Sequence, residues 1–507
     1  MERSSGILMP VSSLPSPYGI GSFGKAAYAF ADFLHDAGQG SWQVLPLGPT
    51  SYGDSPYQSF STFAGNPYFI DLDLLAADGL LKKREYSSLD WGADPRYVDY
   101  GLLYQNRFSV LAKAKQRGWE RDREAVRAFE QENAGWLPDY ALFMALKRRF
   151  GMKSWTEWPD EGARRHDRGA LERYRAELRE DIELFIYLQY LFFRQWGELK
   201  AYVNGLGIKI IGDLPVYVAM DSADVWAAPQ MFQLDEKGFP TEVSGVPPDY
   251  FTEDGQLWGN PLYDYDVQRR DGYGWWIRRV GGAAKLFDVI RIDHFRGFES
   301  YWAVPYGDKT ARNGHWVKGP GMDLVGRLTG WFGDIEFIAE DLGYLTPEVT
   351  QLLRDSGLPG MKVLEFAFDH REPSNYLPHC YPENCVCYTG THDNAPLASW
   401  KAETGPKDFA FAKQYLGLND AEGVNYGMIR GGMGSVARLF VAQMQDYLEL
   451  GEGHRMNTPG SATGNWTWRI LPGEASAPLA ARIREMTRIY GRLPYAPEAE
   501  MEEEEED

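Results

Sequence analysis

The chain has 507 residues, 44% of them hydrophobic, which suits a large core: roughly three domains by length alone, or one barrel with long insertions. Its net charge of −20 makes it a poor partner for nucleic acid or an anionic membrane surface, since phosphates repel it, and favours uncharged substrates. Cys380, Cys385 and Cys387 are too few and too clustered for a disulfide framework, no basic-then-apolar leader opens the chain, and no run of about 18 apolar residues exists, so a cytoplasmic setting is expected.

Residues 6–11 form a short apolar run, the first predicted strand, and residues 25–37 have helical spacing with Phe30, Phe33 and Leu34 on one side. Residues 41–47 read as strand two. The loop that follows, from Ser51 through Tyr57 to Ser59, is polar and aromatic rather than merely flexible. Residues 73–203 are expected to be a helical insertion, with helices over 100–115, 121–133, 140–150 and 171–203. Strand three is the apolar run 207–215, which closes on Asp213. Residues 219–275 are dense in Gly, Pro and Trp and are expected to be a lid or substrate loop.

Strand four, residues 288–296, alternates apolar and charged residues, so that Val289, Arg291 and Asp293 share one face and Ile290, Ile292 and His294 the other. Strand five, 336–343, is again apolar and then acidic, at Glu340. Strands six (361–368) and seven (385–394) follow, the latter ending in Thr391-His392-Asp393-Asn394. Residues 396–454 are expected to be helical, strand eight to lie at 455–460, and the acidic tail 498–507 to be disordered. Eight strands separated by helical patterns predict an α/β fold, a (β/α)8 TIM barrel with helical and loop insertions, forming one catalytic unit over residues 1–497.

Four strands end in acids, Asp213, Asp293, Glu340 and Asp393, and in such a barrel these ends converge on one mouth. Two carboxyl groups flanking a bond are what retaining glycoside chemistry needs: one attacks the anomeric carbon, and the other protonates the leaving oxygen. Arg291, two residues before Asp293, is expected to lower its pKa by charge, while the apolar Phe337, Ile338 and Ala339 before Glu340 suit an acid that stays protonated. With 17 Trp and 30 Tyr, the chain is rich in side chains that offer sugars an apolar face and a polar edge.

Arg291-Ile-Asp293-His-Phe295, Ala339-Glu-Asp-Leu-Gly343 and Thr391-His-Asp-Asn394, with Gly212-Asp-Leu-Pro215 upstream, resemble the four motif regions of the α-amylase clan, and most closely the amylomaltases, bacterial 4-α-glucanotransferases. The resemblance covers nearly the whole chain before the tail, which is no part of the family pattern. It includes Ser55-Pro-Tyr57-Gln-Ser59, the segment 245–261, Asn457-Thr-Pro-Gly460 and Asn465-Trp-Thr-Trp468. It implies Asp293 as nucleophile, Glu340 as acid/base and Asp393 as transition-state stabiliser. It implies that Tyr57, Asp213, Arg291, His294 and His392 hold the glucose at the cleavage point, and that Asp249, Gln256 and Trp258 hold neighbouring units. The implied activity is transfer of α-1,4-glucan segments among maltooligosaccharides or glucans derived from starch or glycogen, with no cofactor or metal. A hydrolase of the same clan and a catalytically inactive glucan-binding protein are the alternatives. Three simpler readings also stand: Asp213 as a turn cap, His294 as a core histidine, and the Trp-rich segment as packing.

Overall fold

The computed structural model describes residues 2–248, 252–343, 345–461 and 463–494. Asp249, Tyr250, Phe251 and the acidic tail lie outside them. Twelve strands are present among the described residues: β1 Ser4–Leu8, β2 Ser41–Gln43, β3 Lys209–Leu214, β4 Glu242–Val246, β5 Gln256–Pro261, β6 Val289–Ile292, β7 Ser300–Pro305, β8 His315–Lys318, β9 Glu336–Ala339, β10 Gly360–Val363, β11 Cys385–Tyr388 and β12 Leu439–Gln443.

Eight of them pair in parallel in the order β10-β11-β12-β1-β2-β3-β6-β9. The two end strands meet where the Ala339 amide donates to the Pro359 carbonyl at 2.9 Å, which closes the ring. The barrel is therefore the expected (β/α)8 architecture. Its strands are buried on both faces, as parallel strands wrapped by helices must be.

The eighth barrel strand differs from the expected one. It is β12, inside the stretch read as helical, so residues 396–454 are not helical throughout. Leu439-Phe-Val-Ala442 is apolar on both faces, a pattern that periodicity cannot tell from a buried helix, and Gln443 leads directly into the short helix Met444–Tyr447. Residues 455–460 form a loop instead.

Between β2 and β3 the chain is helical. Here 171–203, expected as one helix, is split at Leu178 into Arg168–Glu177 and Arg179–Gly205. The longer helix buries a stripe of Leu184, Leu188, Leu191, Leu199 and Val203, the spacing of one helical face. On the same helix, Gln189 and Gln195 serve the barrel mouth. Gln189 exchanges hydrogen bonds with the backbone of Gly65 at 2.7 and 2.8 Å, and Gln195 Oε1 accepts from the Asp71 amide at 2.7 Å. The insertion thereby fixes the chain just after the Tyr57 loop.

The described residues of 219–275 carry more regular structure than a loop. They hold β4 and β5, which join β7 and β8 in an antiparallel sheet of order β5-β4-β7-β8. No helix among the described residues is long and apolar enough to cross a membrane.

Candidate active site

Alternation along β6 places Arg291 beside its register partner Asp213 on β3. Arg291 Nη1 donates to Asp213 Oδ2 at 2.6 Å and to Asp293 Oδ1 at 3.1 Å, and Arg291 Nε reaches Met361 Sδ at 3.3 Å. The same Asp213 oxygen accepts from the Tyr57 hydroxyl at 2.6 Å. Tyr57 is carried by a narrow loop closed by the Thr50–Ser59 bridge and the Ser51 amide on the Gln58 carbonyl. Its ring stacks on His392 at 4.8 Å and lies 5.7 Å from Trp466.

The Asp213 side chain has no exposed surface. Its hydrogen bonds run to Tyr57 and Arg291 rather than to turn amides, so it is not a turn cap.

The catalytic candidates sit around this charged centre. Asp293 keeps about a quarter of its side chain exposed. Beyond Ile292 the strand pairing stops and His294 takes a left-handed backbone, φ 52°, which breaks the expected alternation. Its ring is half-buried, edge to face with Trp258 at 4.7 Å and 6.4 Å from Tyr217, so it is not enclosed in the core. Glu340, just past β9, accepts hydrogen bonds from two main-chain amides, His294 N on Oε2 and Leu342 N on Oε1, each at 2.7 Å.

Asp393 sits in a tight polar turn in which Asn394 Oδ1 accepts from the Thr391 amide and hydroxyl, both at 2.9 Å. Asn457 Nδ2 donates to Asp393 Oδ1 at 2.6 Å, and Arg455 to the Asp393 carbonyl at 2.5 Å. The 455–460 loop, expected to be a strand, thus holds the third carboxylate. Gln256 is exposed on the rim, its Oε1 accepting from Trp258 Nε1 at 3.2 Å.

Burial and charge set the protonation of these groups in opposite directions. Burial would lower the Arg291 pKa, but Asp213, Asp293, Tyr57 and Glu340 together raise it well above its ordinary value, so it is a fixed cation. Asp293 departs from the expectation that Arg291 would hold it low. Burial pushes its carboxyl well above the usual carboxylate range, with Asp213, Glu340 and Asp393 adding to the push and Arg291 opposing it. Glu340 is raised by burial, against Arg291 and its two amide donors. Asp293 and Glu340 repel one another and titrate as a pair. Of the two, Asp293 has the Arg291 cation in contact at 3.1 Å. Burial, helped by Arg296, pushes His294 down to about 3, and burial also lowers His392, so both rings are neutral at pH 7.

The structure brings Tyr57, Asp213, Arg291, Asp293, His294, Glu340, His392, Asp393 and Trp258 into one connected site. Asp249 lies outside the described residues. Sequence reasoning assigned no role to Tyr217, Arg455, Asn457 or Trp466. For Asn457 and Trp466 the available signal was membership of quoted family motifs; for Tyr217 and Arg455 there was none. Outside this site, Asp369, His370 and Asp408 lie close enough to share one ion, but His370 Nδ1 already pairs with Asp408 at 2.5 Å and Arg371 with Asp369 at 2.6 Å.

The family model for 4-alpha-glucanotransferase, glycoside hydrolase family 77, matches residues 9–473. Curated 4-alpha-glucanotransferases from Clostridium butyricum and Thermus thermophilus are each 49% identical, covering 96% and 97% of this chain and 100% of their own lengths. The solved amylomaltase of Streptococcus agalactiae in complex with acarbose superposes with a TM-score of 0.95 at 42% identity, covering 97% of this chain and 100% of that one. A carboxylate-lined barrel mouth, a family model spanning most of the chain and relatives matched end to end lead to one assignment: the chain belongs to the 4-alpha-glucanotransferase family.

Proposed function

We propose that this glucan transferase moves α-1,4-glucan segments between maltooligosaccharides by two displacements at one anomeric carbon, with Asp293 as nucleophile, Glu340 as acid and then base, and Asp393 as transition-state stabiliser. The observation that carries the assignment is the unequal company of the two carboxyls. Asp293 has the Arg291 guanidinium at 3.1 Å, whereas the hydrogen bonds to the Glu340 carboxyl come from main-chain amides among the described residues. A charged donor in contact favours the ionised form, which a nucleophile needs, and burial without one favours the protonated form, which an acid needs.

Asp293 attacks the anomeric carbon while Glu340 gives its proton to the departing glycosidic oxygen. The reducing-end fragment leaves with a free 4-hydroxyl. The 4-hydroxyl of an acceptor then enters, Glu340 takes its proton, and the ester bond to Asp293 breaks. Two inversions give net retention. Tyr57, Asp213, Arg291, His294 and His392 hold the glucose at the cleavage point, and Asp249, Gln256 and Trp258 hold its neighbours. Sugar outcompetes water only where water is kept out while the acceptor is held in line, a task for which the aromatic faces around His294 are suited. The substrates are maltooligosaccharides and glucans derived from starch or glycogen, and the setting is the cytoplasm, in keeping with three unpaired cysteines.

A time course with maltotriose tests this reading. Glucose plus a ladder of longer oligosaccharides, with little net gain of reducing ends, is the expected result. Release of reducing ends as fast as maltotriose is consumed would establish the hydrolase instead.

A further inference from the structure

The nucleophile and the acid/base belong to different strands, yet their backbones are tied together at one residue. The Glu340 amide donates to the Ile292 carbonyl at 3.0 Å, and the Phe295 amide donates to the Glu340 carbonyl at 3.0 Å. Between those two bonds lies His294, whose amide donates to Glu340 Oε2 at 2.7 Å. An extended residue at 294 would send successive amides to opposite sides of the chain. A left-handed residue followed by a helical one turns consecutive amides the same way, making a concavity for a negatively charged oxygen. His294 has φ 52°, and Phe295 opens the 3-10 turn Phe295–Phe298. Outside glycine this conformation is strained and persists where the surroundings enforce it.

We propose that His294 is a positioning residue through its backbone: its left-handed turn presents a main-chain amide to Glu340, so that the strand end carrying the nucleophile also sets the orientation and proton affinity of the acid/base carboxyl. The inference rests on the roles proposed above for Asp293 and Glu340 and goes beyond them, because it assigns His294 a function independent of its imidazole. An amide donor favours the carboxylate. It therefore opposes the burial that keeps Glu340 protonated, leaving the group able to serve as acid in one half of the cycle and base in the other. Among the described residues, the charged or titratable groups facing Glu340 are Arg291 from β6, Asp293 just past it, Asp341 beside Glu340, and Tyr376 from the segment after β10.

Two substitutions separate backbone from ring, because both remove the imidazole. His294→Gly keeps the left-handed turn without strain; His294→Val resists it. In the valine variant the amide turns away, and the alkaline limb of kcat/KM for maltotriose moves to higher pH than in the glycine variant, by about one unit for the loss of one donor to a charged group. With α-maltosyl fluoride, whose leaving group needs little help from an acid, both variants are expected to form the adduct on Asp293 at similar rates, which also shows that the valine protein is folded. Coincident alkaline limbs, or adduct formation lost in the valine variant alone, would overturn the inference. Failure of the underlying roles has a different signature: a Glu340→Gln enzyme that still turns over maltotriose.

Discussion

Asp213 Oδ2 and Arg291 Nη1 lie 2.6 Å apart as register partners on neighbouring barrel strands, and Arg291 spans the further 3.1 Å to Asp293. One guanidinium therefore serves two carboxylates, one wholly enclosed and one facing the cleft. The enclosed acid competes for the cation that the exposed one needs, and its negative charge also pushes the Asp293 pKa up.

Asp213→Asn keeps the shape but removes that charge. The Asp293 pKa then falls, because a neighbouring negative charge is gone while Arg291 remains. The acidic limb of kcat/KM, which reports ionisation of the nucleophile, moves to lower pH. Turnover at neutral pH falls about a hundredfold, as for a small misplacement of reacting groups, because Tyr57 and Arg291 lose their anchor. A pH profile of the variant checks both; an acidic limb that stays in place or moves upward argues against the coupling.

Asn457 Nδ2, on the 455–460 loop, donates to Asp393 Oδ1 at 2.6 Å. Replacing Asn457 by Leu removes a hydrogen bond to a charged acceptor, expected to cost about 1.5–3 kcal/mol of transition-state stabilisation, or roughly 10- to 100-fold in kcat. KM for maltotriose and the melting temperature should change little. A KM rise with unchanged kcat would show that Asn457 binds the ground state instead.

Trp258 sets its ring against the His294 imidazole at 4.7 Å on the cleft rim. If it helps to exclude water and align the acceptor, Trp258→Ala lowers transfer more than hydrolysis. Reducing ends released per maltotriose consumed should rise severalfold over the parent enzyme. An unchanged ratio at lower overall rate would limit Trp258 to ordinary glucan binding.

Asp446 is wholly buried below the Asp393 turn, accepting from Thr389 Oγ1 at 2.6 Å and the Leu397 amide at 2.8 Å. Burial raises its pKa to about 6 from an ordinary 3.8. A raised folded-state pKa means that this residue's contribution is fully present below pH 3.8 and is lost as pH climbs through 6, a swing of about 3 kcal/mol. Asp446→Asn, neutral at every pH, should raise the melting temperature at pH 8 relative to the parent and leave it nearly unchanged at pH 4. Equal shifts at the two pH values would mean that the carboxyl is not titrating in the fold.

The sequence by itself determined the barrel class, the acids at strand ends and the family. Strand periodicity is local, and β6 shows it: apolar residues fill the core, and Arg291 and Asp293 emerge on one face at the carboxyl end. The same locality explains the misplaced eighth strand, since residues 439–442 are apolar on every side and only pairing with β1 and β11 makes them a strand. Tertiary structure alone decided that Asp213 is enclosed behind Tyr57, that burial outweighs Arg291 at Asp293, that the 455–460 loop grips Asp393, and that His294 turns its amide to Glu340. Each of these depends on what lies within a few ångströms across strands and loops far apart in the chain, and both desolvation and hydrogen-bond geometry are set by those through-space neighbours rather than by sequence spacing.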